Sequence, residues 1–239
     1  MENKYQYLTF LGLTFNVANC LSIILTALVV FFLVFFLSRK ITMRPGKRQN
    51  VLEYLIDFSN GIVKSIMPGD EGKPFYFYIF VLFLFLLVSN ILGLFLEIKV
   101  NGFTYTKSPT ADPMVTMPLA LMSLVLSHYY GAEKYGFKGY LSNFARPVGF
   151  MLPMNLIEEF TNFLTLSLRL YGNIFAGEVL IGLLVMMTQG AGLSGVFGSI
   201  AAIPLMMVWQ GFSVFIGAVQ AYIFATLTCV YFSRKITRE

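Results

Sequence analysis

The chain is short of charge. Asp, Glu, Lys and Arg make up only 12% of its 239 residues, against roughly 25% in a soluble domain. Apolar residues reach 57% and the mean hydropathy is +0.73. Such a chain has too little polar surface to cover itself in water, which excludes an ordinary soluble globule. Metal-binding and redox-active side chains are also scarce. There is one histidine, His128, and there are two cysteines, Cys20 and Cys229, both inside apolar runs. The cysteines read as small packing residues. His128 ends an apolar run beside Tyr129 and Tyr130 and reads as an interfacial side chain, because no second His or Cys is near. No metal or cofactor is therefore expected. A phosphate-binding loop is missing, so this chain is not expected to be an enzyme by itself. The net charge of +5 does not point to nucleic acid, because its basic residues cluster beside apolar runs without a basic stripe or zinc spacing. The N-terminus has no strong basic region ahead of a short apolar one, and reads as retained rather than as a cleaved signal.

What the chain has is long, continuous apolar runs without period-2 alternation. In lipid the backbone must satisfy its own hydrogen bonds, so these runs are expected to be helices. The fold class expected is an all-α integral membrane protein, a single membrane domain over residues 1–239. Five transmembrane segments are placed at 16–38, 75–96, 113–130, 149–187 and 197–232. The last two are much longer than the roughly 20 residues a span needs. They must tilt strongly or be broken into two pieces.

Residues 48–67 differ. On a helical wheel Val51, Leu52, Leu55, Phe58, Ile62, Val63 and Ile66 share one side, and Glu53, Asp57, Asn60 and Lys64 the other. This predicts an amphipathic helix lying in the membrane interface; a soluble hairpin segment is the alternative. Basic residues set the orientation. Arg39, Lys40, Arg44, Lys47 and Arg48 follow the first span, Lys134, Lys138 and Arg146 follow the third, and Arg234, Lys235 and Arg238 end the chain. With five spans these groups fall on one side. The N-terminus is then outside and the C-terminus cytoplasmic.

The fourth stretch carries the chemistry. Arg169 stands near its middle, where a permanent cation costs at least about 3 kcal/mol. At about 100° per residue, Glu158, Asn162, Thr165, Asn173 and Ala176 lie within about 40° of it, and Gly172 within about 60°. The cytoplasmic half of that face is polar, and the outer half is small enough for another helix to approach closely. Glu178 points the opposite way, roughly 13 Å nearer the outside. One arginine thus separates an inner polar stripe from an outer acid, a layout suited to two aqueous pockets that do not join. A plain interhelical ion-pair network is the alternative for Arg169 and Glu178. Glu158 and Glu159 have a second reading as caps of a helix's positive end, and Asn162 and Asn173 one as interhelical hydrogen bonds. In the fifth stretch Ser213 and Gln220 share a face, with Ser213 outward by roughly 10 Å. With Gln220 level with Arg169, Ser213 comes near the depth of Glu178, and the two would form one outer polar pocket. Isolated packing residues are the other reading.

The run Ser167-Leu168-Arg169-Leu170-Tyr171-Gly172-Asn173, followed by Ala176-Gly177-Glu178, resembles the signature of the bacterial-type F-type ATP synthase subunit a family. Pro45-Gly46-Lys47, Asn90-Ile91-Leu92-Gly93, Pro109-Thr110-Ala111-Asp112, Asn155-Leu156-Ile157-Glu158-Glu159 and Gln220 resemble further family segments, so the likeness covers nearly the whole chain. The resemblance implies a multi-pass protein of the bacterial plasma membrane, with the rotating c-ring, peripheral stalk subunit b and the lipid bilayer as partners. It implies that Arg169 faces the ring carboxylate, that Glu178 belongs to the outer half-channel, and that Gln220 sits beside the arginine. Some relatives have a histidine where this chain has Ser213, and a serine cannot carry charge. Whether the ion is a proton or sodium is set by the ring subunit. The competing classes are a secondary transporter and an intramembrane enzyme. The first calls for repeated halves with interrupted helices, and the second for a nucleophile with its base, or for metal ligands. Neither pattern is found here.

Overall fold

A computed structural model describes residues 7–10, 13–39, 41–95, 98–100, 103–106, 108–136, 139–140, 152–188 and 193–236. Among these residues six α-helices carry the fold. They are α1 (Val17–Ser38), α2 (Lys47–Ile66), α3 (Tyr76–Phe95), α4 (Pro113–Tyr135), α5 (Leu152–Met187) and α6 (Leu193–Ile236). Two short antiparallel hairpins, β1–β2 (Tyr7–Phe10 with Leu13–Asn16) and β3–β4 (Ile98–Val100 with Phe103–Thr106), add strand that the all-helical expectation did not contain. Both lie just outside apolar runs, where hairpin pairing satisfies the backbone.

Local chemistry sets the helix ends. The Asn16 side chain accepts from the Ala18 N–H and caps α1, and the Asp112 side chain accepts from the Met114 N–H at 3.0 Å and caps α4. Helix α2 stops before Met67-Pro68-Gly69, where Gly69 takes φ +95°. Gly136, at φ +72°, ends α4. The two long stretches are each one unbroken helix among the described residues. At 1.5 Å per residue they run about 54 and about 66 Å, well beyond a bilayer core of about 30 Å.

Among the described residues four helices are long and apolar enough to cross a membrane: Val17–Ser38, Lys73–Leu94, Pro153–Met187 and Gly198–Ile236. The expected third span is a helix of 23 residues, five longer than placed at its C-terminal end, but it falls outside this group. Ser123, Ser127, His128, Glu133 and Lys134 dilute its apolar character. It packs inside the bundle, against α5 and α6, with Thr116, Ser123 and Ser127 buried. Helix α2 appears where the wheel put it, yet its buried side is Leu52, Ile62 and Val63, while Val51 and Phe58 remain exposed. The cause is its seating on α3 and α6, with the Phe58 ring 5.3 Å from Phe83 and 5.8 Å from Tyr222.

The core forms where α3, α4, α5 and α6 cross. Phe75 stacks on Phe232 at 4.4 Å and meets Tyr130 edge-on at 4.8 Å, above Ile79, Leu166, Leu170 and Phe224. Helix α1 lies at the edge against α2 and α3 and exposes Phe31, Phe32, Phe35 and Phe36. So much exposed apolar surface marks lipid as the solvent of these faces.

Candidate functional site

Helix α5 divides its residues by period. Leu166, Ser167, Leu170, Ile174, Gly177 and Leu184 are buried against α4 and α6. Glu158, Thr165, Arg169 and Ala176 are exposed, and Asn162, Gly172 and Asn173 are half-buried between the two sides. Glu158, Thr165, Arg169 and Ala176 thus share one exposed side of α5, with Asn162, Gly172 and Asn173 at its border. A Cβ at Gly172 would meet nothing within 4 Å. The fold of this chain does not require a glycine there, and the room beside Arg169 is open to another molecule.

At the end of α5 that begins the helix, the two neighbouring acids diverge by one helical step. Glu158 points outward and pairs with Arg234 at 2.7 Å, both side chains more than half exposed. Glu159 turns inward and pairs with Lys235, with both side chains less than one fifth exposed. His128 completes this cluster. Its Nε2 stands 3.6 Å from Glu159 Oε2, and its Nδ1 shares a hydrogen bond with the Tyr140 hydroxyl. Burial, and then the charge of Glu159, push the Tyr140 phenol above its ordinary pKa, so it keeps its proton. Tyr135 donates its hydroxyl proton to the Ile236 carbonyl nearby. Through these pairs the two glutamates clamp the start of α5 to the end of α6. No spacing in the sequence announces the contribution of His128 or Tyr140, because they reach Glu159 from other elements.

A cavity of about 50 Å³ lies between α3, α5 and α6, lined by Leu94, Asn173, Gly177, Trp209, Phe212 and Ser213, among others. By this measure one water needs about 10–15 Å³, so a few waters fit. The absence of a side chain at Gly177 lets the pocket reach Ser213, whose Oγ would stand 3.9 Å from a Cβ there. Asn173 and Ser213 both line this cavity, and Glu178 is exposed one helical step past Gly177. Gln220 is 5% exposed, and its Nε2 has no hydrogen-bond partner among the described residues.

The family model described as ATP synthase A chain matches residues 20–233. The chain belongs to this family. It is 50% identical over 228 residues to "ATP synthase subunit a" of Limosilactobacillus fermentum, covering 95% of each chain. It is 48% identical over 241 residues to the protein of that name in Enterococcus faecalis, and 46% over 244 residues to that of Bacillus subtilis, covering 100% of each chain in both cases.

In this member of the ATP synthase A chain family, two segments singled out in the sequence prove to be one contact. Asn90 Nδ2 donates to the Gly217 carbonyl at 2.9 Å, and Thr110 Oγ1 donates to Asn90 Oδ1 at 2.9 Å. Ser108 and Thr110 share a hydrogen bond of 2.8 Å, and Thr116 and Ser167 one of 3.4 Å. The single-turn helix Pro109–Ala111 is buried and wedged between α3, α4 and α5. A Cβ at Gly93 would fall 2.1 Å from Ser108 Cβ, so only glycine lets the turn dock. This seam links α3 to α6 beside the Asn173 and Ser213 pocket. Sequence reasoning missed its role, since only the paired appearance of the two segments hinted at it.

Proposed function

We propose that the chain is the stationary subunit a of an ATP synthase membrane sector in a bacterial plasma membrane. It forms two proton half-channels against a rotating ring of c subunits, and peripheral stalk subunit b holds it still. It performs no nucleotide chemistry itself. The observation that carries this reading is the position of Arg169. A family member presents a permanent cation in the middle of a long apolar helix, on an open face, with Gly172 and Ala176 leaving room beside it. A guanidinium attracts a ring carboxylate without taking its proton. It therefore separates two pockets electrostatically while the ring moves past.

In this mechanism a proton enters from outside, at Glu178 and the Asn173 and Ser213 pocket. Ser213 does not ionise, so Glu178 and bound water carry the charge. The proton neutralises a ring carboxylate, which then turns into lipid. After nearly a full turn the carboxylate releases the proton on the cytoplasmic side, near Asn162 and Glu158. Glu159, held by Lys235 and His128, supports that exit from behind. The buried Gln220 amide offers a donor toward the arginine level of the bundle. Helix α4 serves as a fifth crossing inside the bundle, the two long helices tilt, and α2 lies along the cytoplasmic interface. The N-terminus is then outside and the C-terminus inside.

The test uses the whole complex in vesicles, measuring ATP synthesis and passive proton conductance. Arg169→Ala is expected to abolish coupled synthesis while letting protons leak through the membrane sector. Arg169→Lys, which loses the planar fork and can deprotonate when buried, is expected to fail to couple as well. Substantial coupled synthesis by Arg169→Ala would sink the mechanism.

A further inference from the structure

The turn between α1 and α2 presents Arg39, Arg44, Lys47 and Arg48, and Lys40 among them lies outside the described residues. No acid stands between Arg39 and Glu53. Every side chain from Ile41 to Arg48 is exposed, and two of them are large and apolar, Ile41 at 72% and Met43 at 103%. Among the described residues none of the four cations pairs with a carboxylate of the chain.

The turn is built, not slack. The buried Gln49 side chain reaches back across it, accepting from the Thr42 N–H at 2.9 Å and donating to the Thr42 carbonyl at 3.0 Å. The same amide donates to Glu53 Oε1 at 2.7 Å, and the Thr42 hydroxyl donates to the Arg44 carbonyl at 2.7 Å. This clamp holds the cations and the two apolar side chains outward together. Helix stability does not explain the charges. Lys47 and Arg48 occupy the first turn of α2, where a positive side chain opposes the helix dipole.

We propose that this turn binds the headgroups of anionic phospholipids in the leaflet where α1 ends, with Ile41 and Met43 entering the acyl boundary. The turn directly follows the exposed phenylalanines of α1, so it sits at the depth where headgroups begin. Arginines bind a phosphate through paired N–H groups. Cations set beside exposed apolar side chains match a molecule with a charged head above an acyl chain. An acidic protein face would supply the charge but no apolar layer at that depth. The site would fix the height and rotation of α1 and α2 in the membrane. It stands whether or not Arg169 carries the coupling.

The test strips the purified complex of lipid in detergent. It then offers phosphatidylglycerol and phosphatidylcholine of matched chains and counts bound lipid by native mass spectrometry. The wild type is expected to retain phosphatidylglycerol selectively. Each basic side chain near an anionic surface is worth about a factor of five, so Arg44→Gln/Lys47→Gln/Arg48→Gln should weaken retention by about 100-fold. Equal retention of both lipids by the wild type would overturn the proposal, as would unchanged retention by the triple variant. Displacement by inorganic phosphate alone would make this a free-anion site, and also overturns it. A triple variant that keeps its lipid but loses the peripheral stalk subunit would make the turn a protein interface instead. Should the variant not assemble, a salt titration of the wild type decides. Loss of phosphatidylglycerol alone with rising salt supports the site, and salt-independent retention refutes it.

Discussion

Replacing Gly172 distinguishes what this chain needs from what its proposed partner needs. Gly172 lies three residues after Arg169 on the open face, and a Cβ there meets nothing of this chain within 4 Å. Within the chain, alanine in place of a mid-helix glycine is worth about 0.8–1 kcal/mol of added helix stability. Leucine, also a strong helix former, should be nearly as favourable. Gly172→Ala and Gly172→Leu are therefore expected to accumulate in membranes at wild-type levels. The ring is a different matter. A small residue lets two helix backbones approach closely, and added methylenes in a packed contact cost about 1–3 kcal/mol. That corresponds to about 5- to 150-fold in the equilibrium for seating each ring helix at the arginine. Leucine should approach the upper end and alanine the lower. The assay is ATP synthesis and ATP-driven proton pumping by the whole complex in vesicles, with subunit amounts measured in parallel. Wild-type synthesis by Gly172→Leu would remove the ring from this face. A chain that fails to accumulate would show that the face is not open, and would refute the geometry itself.

Gly93→Ala tests the interior seam in the opposite way: the new Cβ lands 2.6 Å from Ser108 Cα, a backbone atom that no rotamer change can move. Overpacking and the loss of the Thr110 to Asn90 hydrogen bond should cost about 2–4 kcal/mol, read as lower abundance and a lower melting temperature of the complex; a wild-type Tm would refute the contact. Glu178→Gln should strongly lower proton flux in a complex that still assembles, and wild-type pumping would place Glu178 outside the path. Asp57→Cys and Lys64→Cys, both at exposed positions of α2, should react with a polar thiol reagent added from the cytoplasmic side. Labelling only from outside would reverse the proposed orientation.

Parts of the site were legible in the sequence, and parts were not. The common face of Glu158, Thr165, Arg169 and Ala176 follows from helical period alone, and the structure keeps it exposed. The partners of Glu159 did not follow. Lys235 comes from α6 and His128 from α4, Tyr140 bonds to His128 from beyond α4, and no local pattern joins them. Ser213 was read with Glu178 because both were judged to lie at one depth. Azimuth on the helix adds Asn173 and Gly177 beside Ser213, which depth alone does not single out. For α2 the wheel found an apolar side but not which part of it touches protein. Val51 stays exposed because α3 and α6 reach only one flank, and Phe58 meets Phe83 and Tyr222 with just part of its ring.

The sequence by itself determined the solvent, the helices, and which residues share a face. These depend on hydrophobic length and on the 3.6-residue period, properties of neighbours along the chain that no distant contact can alter. It also determined the family, through short runs of residues. Only the tertiary structure decided which faces meet. Asn90 with Gly217, Glu159 with Lys235, and Gly93 with Ser108 are contacts between residues far apart in the chain. Their pairing depends on how long helices cross and on where a missing Cβ lets backbones approach, and that geometry exists only once the helices have packed.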